Sequence, residues 1–190
     1  MALSTEQLLS IAREYWPANK NLHSRLEDSP EVQRFQSRWR EELERMDQWR
    51  AFLRALGEEL PGVTIGDATT PRDACFRCAA YPEADRKPPS FEQVIVGCVS
   101  ILAPVYTLYG VQFEYNGAEV MSEKVFYEPL PPEMHSPAEI IAKNIEATFR
   151  VRALPREVAE TPIALAVGSR EPPDTTLFHA LFTSQPERVP

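Results

Sequence analysis

Glycine is scarce in this chain, seven in 190 residues, and its scarcity removes several function classes together. No GxSxG elbow, phosphate-cradling glycine loop or dinucleotide fingerprint can be read along it. Cysteine is scarcer still: three residues, an odd number, make no disulfide framework. Cys75-Phe76-Arg77-Cys78 is a lone CxxC, without a second pair or a nearby histidine to complete four zinc ligands. In a strand, residues three apart point to opposite faces, so we read the pair as structural. The three histidines, His23, His135 and His179, are far apart and none has HxH or HExxH spacing. His179, set among apolar neighbours, reads as a boundary residue rather than a ligand or base. Ser100 lacks the strained turn a nucleophile needs. Asp67 and Asp73 flank a loop as an acid/base candidate, but any domain of this size holds such a pair by chance. No catalytic residue, metal ligand or cofactor is therefore assigned.

Positive charge is also in deficit. Twenty Lys and Arg against 28 Asp and Glu give a net charge of −8 and a pI near 5.0. An acidic surface has no counterion-release term to exploit against phosphate backbones or anionic lipid, which excludes nucleic-acid and membrane-surface binding and favours a basic protein partner. The opening MALSTEQLLSIAREYW has neither a basic n-region nor a long apolar run, so the expectation is a cytoplasmic protein with reduced thiols.

What the chain does have is proline, eighteen residues, falling between segments at 61, 71, 82, 88–89, 129–132 and 172–173 as punctuation. Gln93–Phe113 lies between Glu92 and Glu114 without a charge. Pro104 would break a membrane helix here, and Val and Ile dominate its first half, so it reads as two buried strands, Glu92–Leu102 and Val105–Tyr115, broken at Ala103-Pro104.

Length and composition predict one domain over 1–190, with a helical segment over 1–57 packing on a sheet with two or three further helices over 58–190. Ser4-Thr5-Glu6-Gln7 is a capping box before a first helix that Pro17 stops. A polar connection follows over Ala18–Asp28. Ser29-Pro30-Glu31 then starts a second, and Val32, Phe35, Trp39, Leu43, Met46, Phe52 and Leu56 keep helical spacing to a close at Gly57. One helix over Pro30–Leu56 would extend roughly 40 Å, with Trp39 and Trp49 nearly opposite, so that one marks a second contact surface. Val63–Ile65, Ala74–Tyr81 and Ile163–Val167 read as further strands, and Pro82–Ser90 as a loop. Ser136-Pro137-Ala138-Glu139 opens a helix to Arg150, Leu154–Glu160 holds a helical turn, and Asp174–Thr183 a short capped helix with Leu177, Phe178, Leu181 and Phe182 inward. The fold class is α+β: a mainly antiparallel sheet of four to six strands, covered by the long N-terminal helix and a helix near 137–149.

The sharpest local signal is Asn116-Gly117 between alternating strands, the preferred type I′ turn. That turn would pair Tyr115 with Ala118, Glu114 with Glu119, Phe113 with Val120, Gly110 with Glu123 and Tyr106 with Tyr127. Phe113, Val111, Val120 and Tyr109 would share the core face, and Glu114, Glu119 and Glu123 the other. Carboxylates facing each other across strands repel, a local cost that reads as a hydrated polar face whose repulsion is screened, as an acidic docking surface for a basic partner, or as a carboxylate metal or acid/base site. Tyr106 and Tyr127 would give the docking surface rigid contact area.

YTLYGVQFEYNG, LPREVAETPIALAVG and TTLFHALFTSQPE resemble small bacterial immunity proteins kept beside polymorphic or contact-delivered toxins. The resemblance implies a non-enzymatic inhibitor that covers a basic toxin domain. Two other classes remain open: an enzyme or ligand-binding domain with a pocket between sheet and helices, and a module that self-associates as a homodimer through an exposed Trp49.

Overall fold

The computed structural model describes residues 3–18, 29–82, 91–117 and 119–189. The connection over 18–28, the loop over 82–90, His23 and Ala118 fall outside them, apart from residues 18 and 82. Ser4 caps α1 (Thr5–Tyr15) as expected: its hydroxyl accepts from the Gln7 N–H at 3.2 Å, and Gln7 Oε1 accepts from the Ser4 N–H at 2.8 Å. The Ser29 hydroxyl likewise accepts from Val32 at the start of α2 (Pro30–Leu43).

The single long helix is replaced by two. After α2 the bonds tighten to three-residue spacing, Glu44 N–H to Glu41 carbonyl and Arg45 N–H to Glu42 carbonyl, and α3 (Met46–Glu59) sets off anew, with Gly57 inside it rather than closing it. The break lets both indoles turn inward. Trp39 Nε1 donates to the Asp73 carbonyl at 2.9 Å and Trp49 Nε1 to Asp67 Oδ1 at 3.2 Å. Phe76 meets Trp39 edge-on at 5.6 Å and stacks on Trp49 at 5.3 Å. Burying one indole is worth about 4–6 kcal/mol from its apolar area, against about 1 kcal/mol for each helical bond given up, so the break wins. Trp49 is fully buried, which removes the exposed indole on which the self-association reading stood.

The structure is α+β, with six strands among the described residues. β1 (Val63–Asp67), β2 (Cys75–Pro82), β3 (Phe91–Ser100), β4 (Val105–Asn116) and β5 (Glu119–Phe126) form an antiparallel meander in chain order, and β6 (Arg152–Ala153) adds in parallel to the start of β4. The uncharged stretch supplies β3 and most of β4, broken where Pro104 was expected to break it. No helix among the described residues is long and apolar enough to cross a membrane.

Helix α4 (Pro132–Phe149) starts a turn earlier than Ser136-Pro137 predicted and carries Pro137 inside it. The added turn brings Met134 over Gly110, where a Cβ would displace its thioether. Ile141 and Ile145 sit likewise over Gly97, so α3 and α4 cover one sheet face. The other is covered by α1 and the C-terminal segment, which holds α5 (Arg156–Ala159) and α6 (Leu177–Leu181). Residues 163–167 form no strand; only the bridges Pro162↔Thr176 and Val167↔Arg170 flank them. This segment docks by single anchors instead. Trp16 Nε1 donates to the Ala180 carbonyl and Ala74 N–H to the Phe182 carbonyl. Beneath it Arg77 is buried, 3.5 Å from Asp73 and donating to the Arg188 carbonyl at 2.7 Å and the Ala68 carbonyl at 3.2 Å.

Candidate functional site

Gly117 (φ 65°) lies in the turn, and Asn116 pairs with Glu119. The turn therefore lies one residue later than Asn-Gly predicted, and the expected pairs do not form. Tyr115 opposes Val120, and then Met121 is an extra residue in β5, so that Glu114 opposes Ser122, Phe113 opposes Glu123 and Gly110 opposes Phe126. A one-residue bulge reverses the face of everything beyond it. Glu114 and Glu119 stay on the face shared with α4, while Glu123 moves to the opposite face beside Phe113, where Arg188 and Glu187 lie close by. The predicted Glu114–Glu119 repulsion is absent: the Ser122 hydroxyl donates to Glu114 at 2.7 Å. All three glutamates are exposed.

The bulge also separates the tyrosines. Tyr106, on the α4 face, donates its hydroxyl to Glu146 at 2.7 Å, and burial with that carboxylate raises its pKa. Tyr127 packs on the other face, 5.2 Å from the Phe178 ring and 6.2 Å from Tyr109, with burial pushing its phenol up to about 12. Neither lies beside the acidic pair.

Two places with functional character result. The first is the distal end of β3–β5. Phe91, Val120 and Met121, exposed by 51%, 49% and 62%, are three of the four large apolar side chains left in water among the described residues. Phe91 is directly opposite Glu114. The Tyr115 hydroxyl donates to Glu92 at 2.9 Å, which makes an acidic rim around an apolar tip.

The second is a cavity of about 170 Å³ where β4 changes partners. The ladder with β6 ends at Tyr106 and that with β5 begins at Gly110, leaving Thr107, Leu108 and Tyr109 without a strand on this edge. Tyr106, Leu108, Tyr127, Leu154 and Phe178 line the opening with His179. His179 Nδ1 lies 3.0 Å from the Thr176 N–H, and an amide can only donate, so the ring hydrogen sits on Nε2. Burial, with a smaller contribution from Arg170, pulls the His179 pKa down to about 4. A histidine so held is neutral at pH 7 and serves as a donor rather than a proton acceptor. Arg156 is held by Glu160 at 2.7 Å and by the Glu128 carbonyl at 2.7 Å.

The remaining sequence candidates are in structural use. Asp67 is taken by Trp49 and the Thr69 N–H, and Asp73 by Arg77. All three cysteines are free and buried, and burial pushes the Cys78 thiol up to about 12, far from thiolate chemistry. Among the described residues no three His, Cys, Asp or Glu side chains are grouped to hold a metal ion. Sequence reasoning missed the cavity. Its one local trace was Thr176-Leu177-Phe178-His179, a capping box in which histidine takes the usual Glu or Gln position.

No family model, curated protein or solved structure matches this chain.

Proposed function

We propose that this chain is a binding protein that captures a basic protein partner on the distal end of β3–β5, and that it acts in the cytoplasm as an immunity protein neutralising a toxin domain. The observation that carries the reading is the exposure of Phe91, Val120 and Met121 at one end of the sheet, with Phe91, Glu114 and Glu119 on the α4 face and Val120 and Glu92 on the other. Isolated exposed apolar residues are ordinary, whereas three at one acidic tip offer apolar contact within a charged rim to a partner that grips the tip from both faces. The net charge of −8 adds long-range attraction for a basic partner, which speeds association at low salt. The contact set is thus redrawn from the sequence expectation. Glu114 and Glu119 stay, the apolar tip replaces Tyr106 and Tyr127, and Glu123 serves only a partner that wraps the hairpin edge.

The test is a pull-down from the native host lysate at low salt, with wild type, Glu114→Lys/Glu119→Lys and Met121→Ser as baits. One basic protein held by wild type and lost from both variants is the expected result. Equal recovery by all three baits would refute the surface. A second reading, binding of a small ligand, is favoured by the cavity at the split edge of β4.

A further inference from the structure

We propose that the cavity at the split edge of β4 is a binding site for a small neutral cyclic amide, one planar ring or two fused, whose adjacent C=O and N–H pair with the main chain of Leu108. The inference stands apart from the protein-partner reading, because the cavity lies at the opposite end of β5 from the tip.

The first support is backbone accounting. Along a strand the N–H and C=O of alternate residues point to the same side. The Tyr106 carbonyl accepts from the Leu154 N–H on the β6 side, so the N–H and C=O of Leu108, two residues on, point to that side too. Neither the β5 nor the β6 ladder reaches Leu108. A donor and an acceptor on an otherwise paired strand thus face the cavity, and main-chain groups in such a place call for partners. A ring amide presents the complement, an acceptor beside a donor, without the chain entropy of a peptide.

The second support is the lining. Leu108, Leu154, Ala142, Ala159, Tyr127 and Phe178 give apolar and aromatic walls, and the Tyr127 and Phe178 rings meet edge to face at 82°, which offers a planar guest an edge and a face. The volume of about 170 Å³ is close to that of cavities, about 150 Å³, that take up benzene. His179 adds one neutral donor, Nε2–H. Charge sets the last condition. Arg156 is spent on Glu160, and Glu128 remains at the rim, so the surroundings are net negative and oppose an anion. These features together select a ring that is planar, uncharged, and both donor and acceptor along one edge.

The experiment follows the backbone amide resonances of the full chain while 2-pyridone is titrated in, with N-methyl-2-pyridone and benzoate as parallel probes. Saturable shifts centred on Leu108 and His179 are expected with 2-pyridone. Loss of one donated hydrogen bond should weaken the N-methyl compound by about tenfold, and benzoate should leave these resonances in place. Ala142→Phe, which fills the cavity from α4, should abolish the shifts while leaving the far-UV spectrum unchanged. Because the N-methyl comparison uses the unaltered protein, it decides the matter even where Ala142→Phe fails to fold. Absence of saturation with 2-pyridone, equal affinity for the two pyridones, or shifts centred elsewhere would each overturn the proposal.

Discussion

Replacing Gly97 by alanine tests whether α4 is set on the sheet by close approach. A Cβ there would lie 3.0 Å from Cys78 Sγ, 3.1 Å from Ile141 Cγ2 and 3.2 Å from Ile145 Cδ1, and all three residues are fully buried. Burial on every side leaves these side chains little room to turn away, so Cys78, Ile141 and Ile145 must give by a few tenths of an ångström together. Overpacking of this kind costs about 1–3 kcal/mol. The narrower unfolded ensemble of alanine returns about 0.4–1 kcal/mol, so the net loss is about 1–2 kcal/mol. For a chain of this length that is a fall of about 2–8 °C in Tm. Gly57 supplies the contrast, because inside α3 its added Cβ would find only Ile65 Cγ1, at 3.9 Å. There the same substitution should stabilise, by up to about 1 kcal/mol. Urea unfolding followed by circular dichroism reads both. A midpoint for Gly97→Ala at or above wild type, with unchanged slope, would refute the close-packed placement of α4.

Arg77→Met leaves Asp73 buried without its cation and removes the donor to the Arg188 carbonyl; a loss of about 3–5 kcal/mol is expected. Adding Asp73→Asn should recover part of it, and a double-mutant cycle showing simple additivity would contradict the pairing. His179 titrates near 4 in the fold against 6.5 in the free side chain, so the unfolded state takes up its proton first as pH falls. Stability is therefore complete above about 6.5 and declines toward 4, by about 1–2 kcal/mol after discounting for the half-buried ring. His179→Gln keeps the capping box and removes the titration, so its stability should be flatter between pH 6.5 and 4; parallel curves would show that another group is responsible.

Local chemistry was legible wherever it acted within a few residues. The Ser4/Gln7 box and the Ser29 cap place α1 and α2 because each is settled by one hydroxyl and the next turn of backbone. Pro104 separates β3 from β4 for the same reason. The break at Glu44–Arg45 left no such trace: no Gly or Pro marks it, and the apolar spacing from Leu43 to Met46 to Trp49 runs through unchanged. What breaks the helix is Phe76, distant in sequence, receiving Trp39 and Trp49 together. The hairpin failed in a related way. Asn116-Gly117 announces a turn within one residue, but one residue in the turn and one in the bulge decide which face Glu123 occupies, and alternating polarity in an exposed strand does not pin either. The cavity is less legible still, since it exists only where two ladders on β4 stop short of each other. Tyr106 and Tyr127 were singled out for a surface that does not form, yet both line that opening.

The C-terminal segment has a consequence for the order of synthesis. Tyr109, Val111, Cys98 and Arg77 lie on the sheet face that this segment closes, through Phe178, Phe182 and the Arg188 carbonyl. A ribosome adds about 5–20 residues each second, so several seconds separate the emergence of β4 from that of its cover. During that interval the growing chain carries a bare apolar face in which the Arg77 guanidinium has Asp73 and the Ala68 carbonyl but not yet the Arg188 carbonyl. The N-terminal helix cannot finish its own docking earlier, because Trp16 waits for the Ala180 carbonyl. Both faces of the meander are therefore covered only once the segment carrying Phe178, Ala180 and Arg188 has been made.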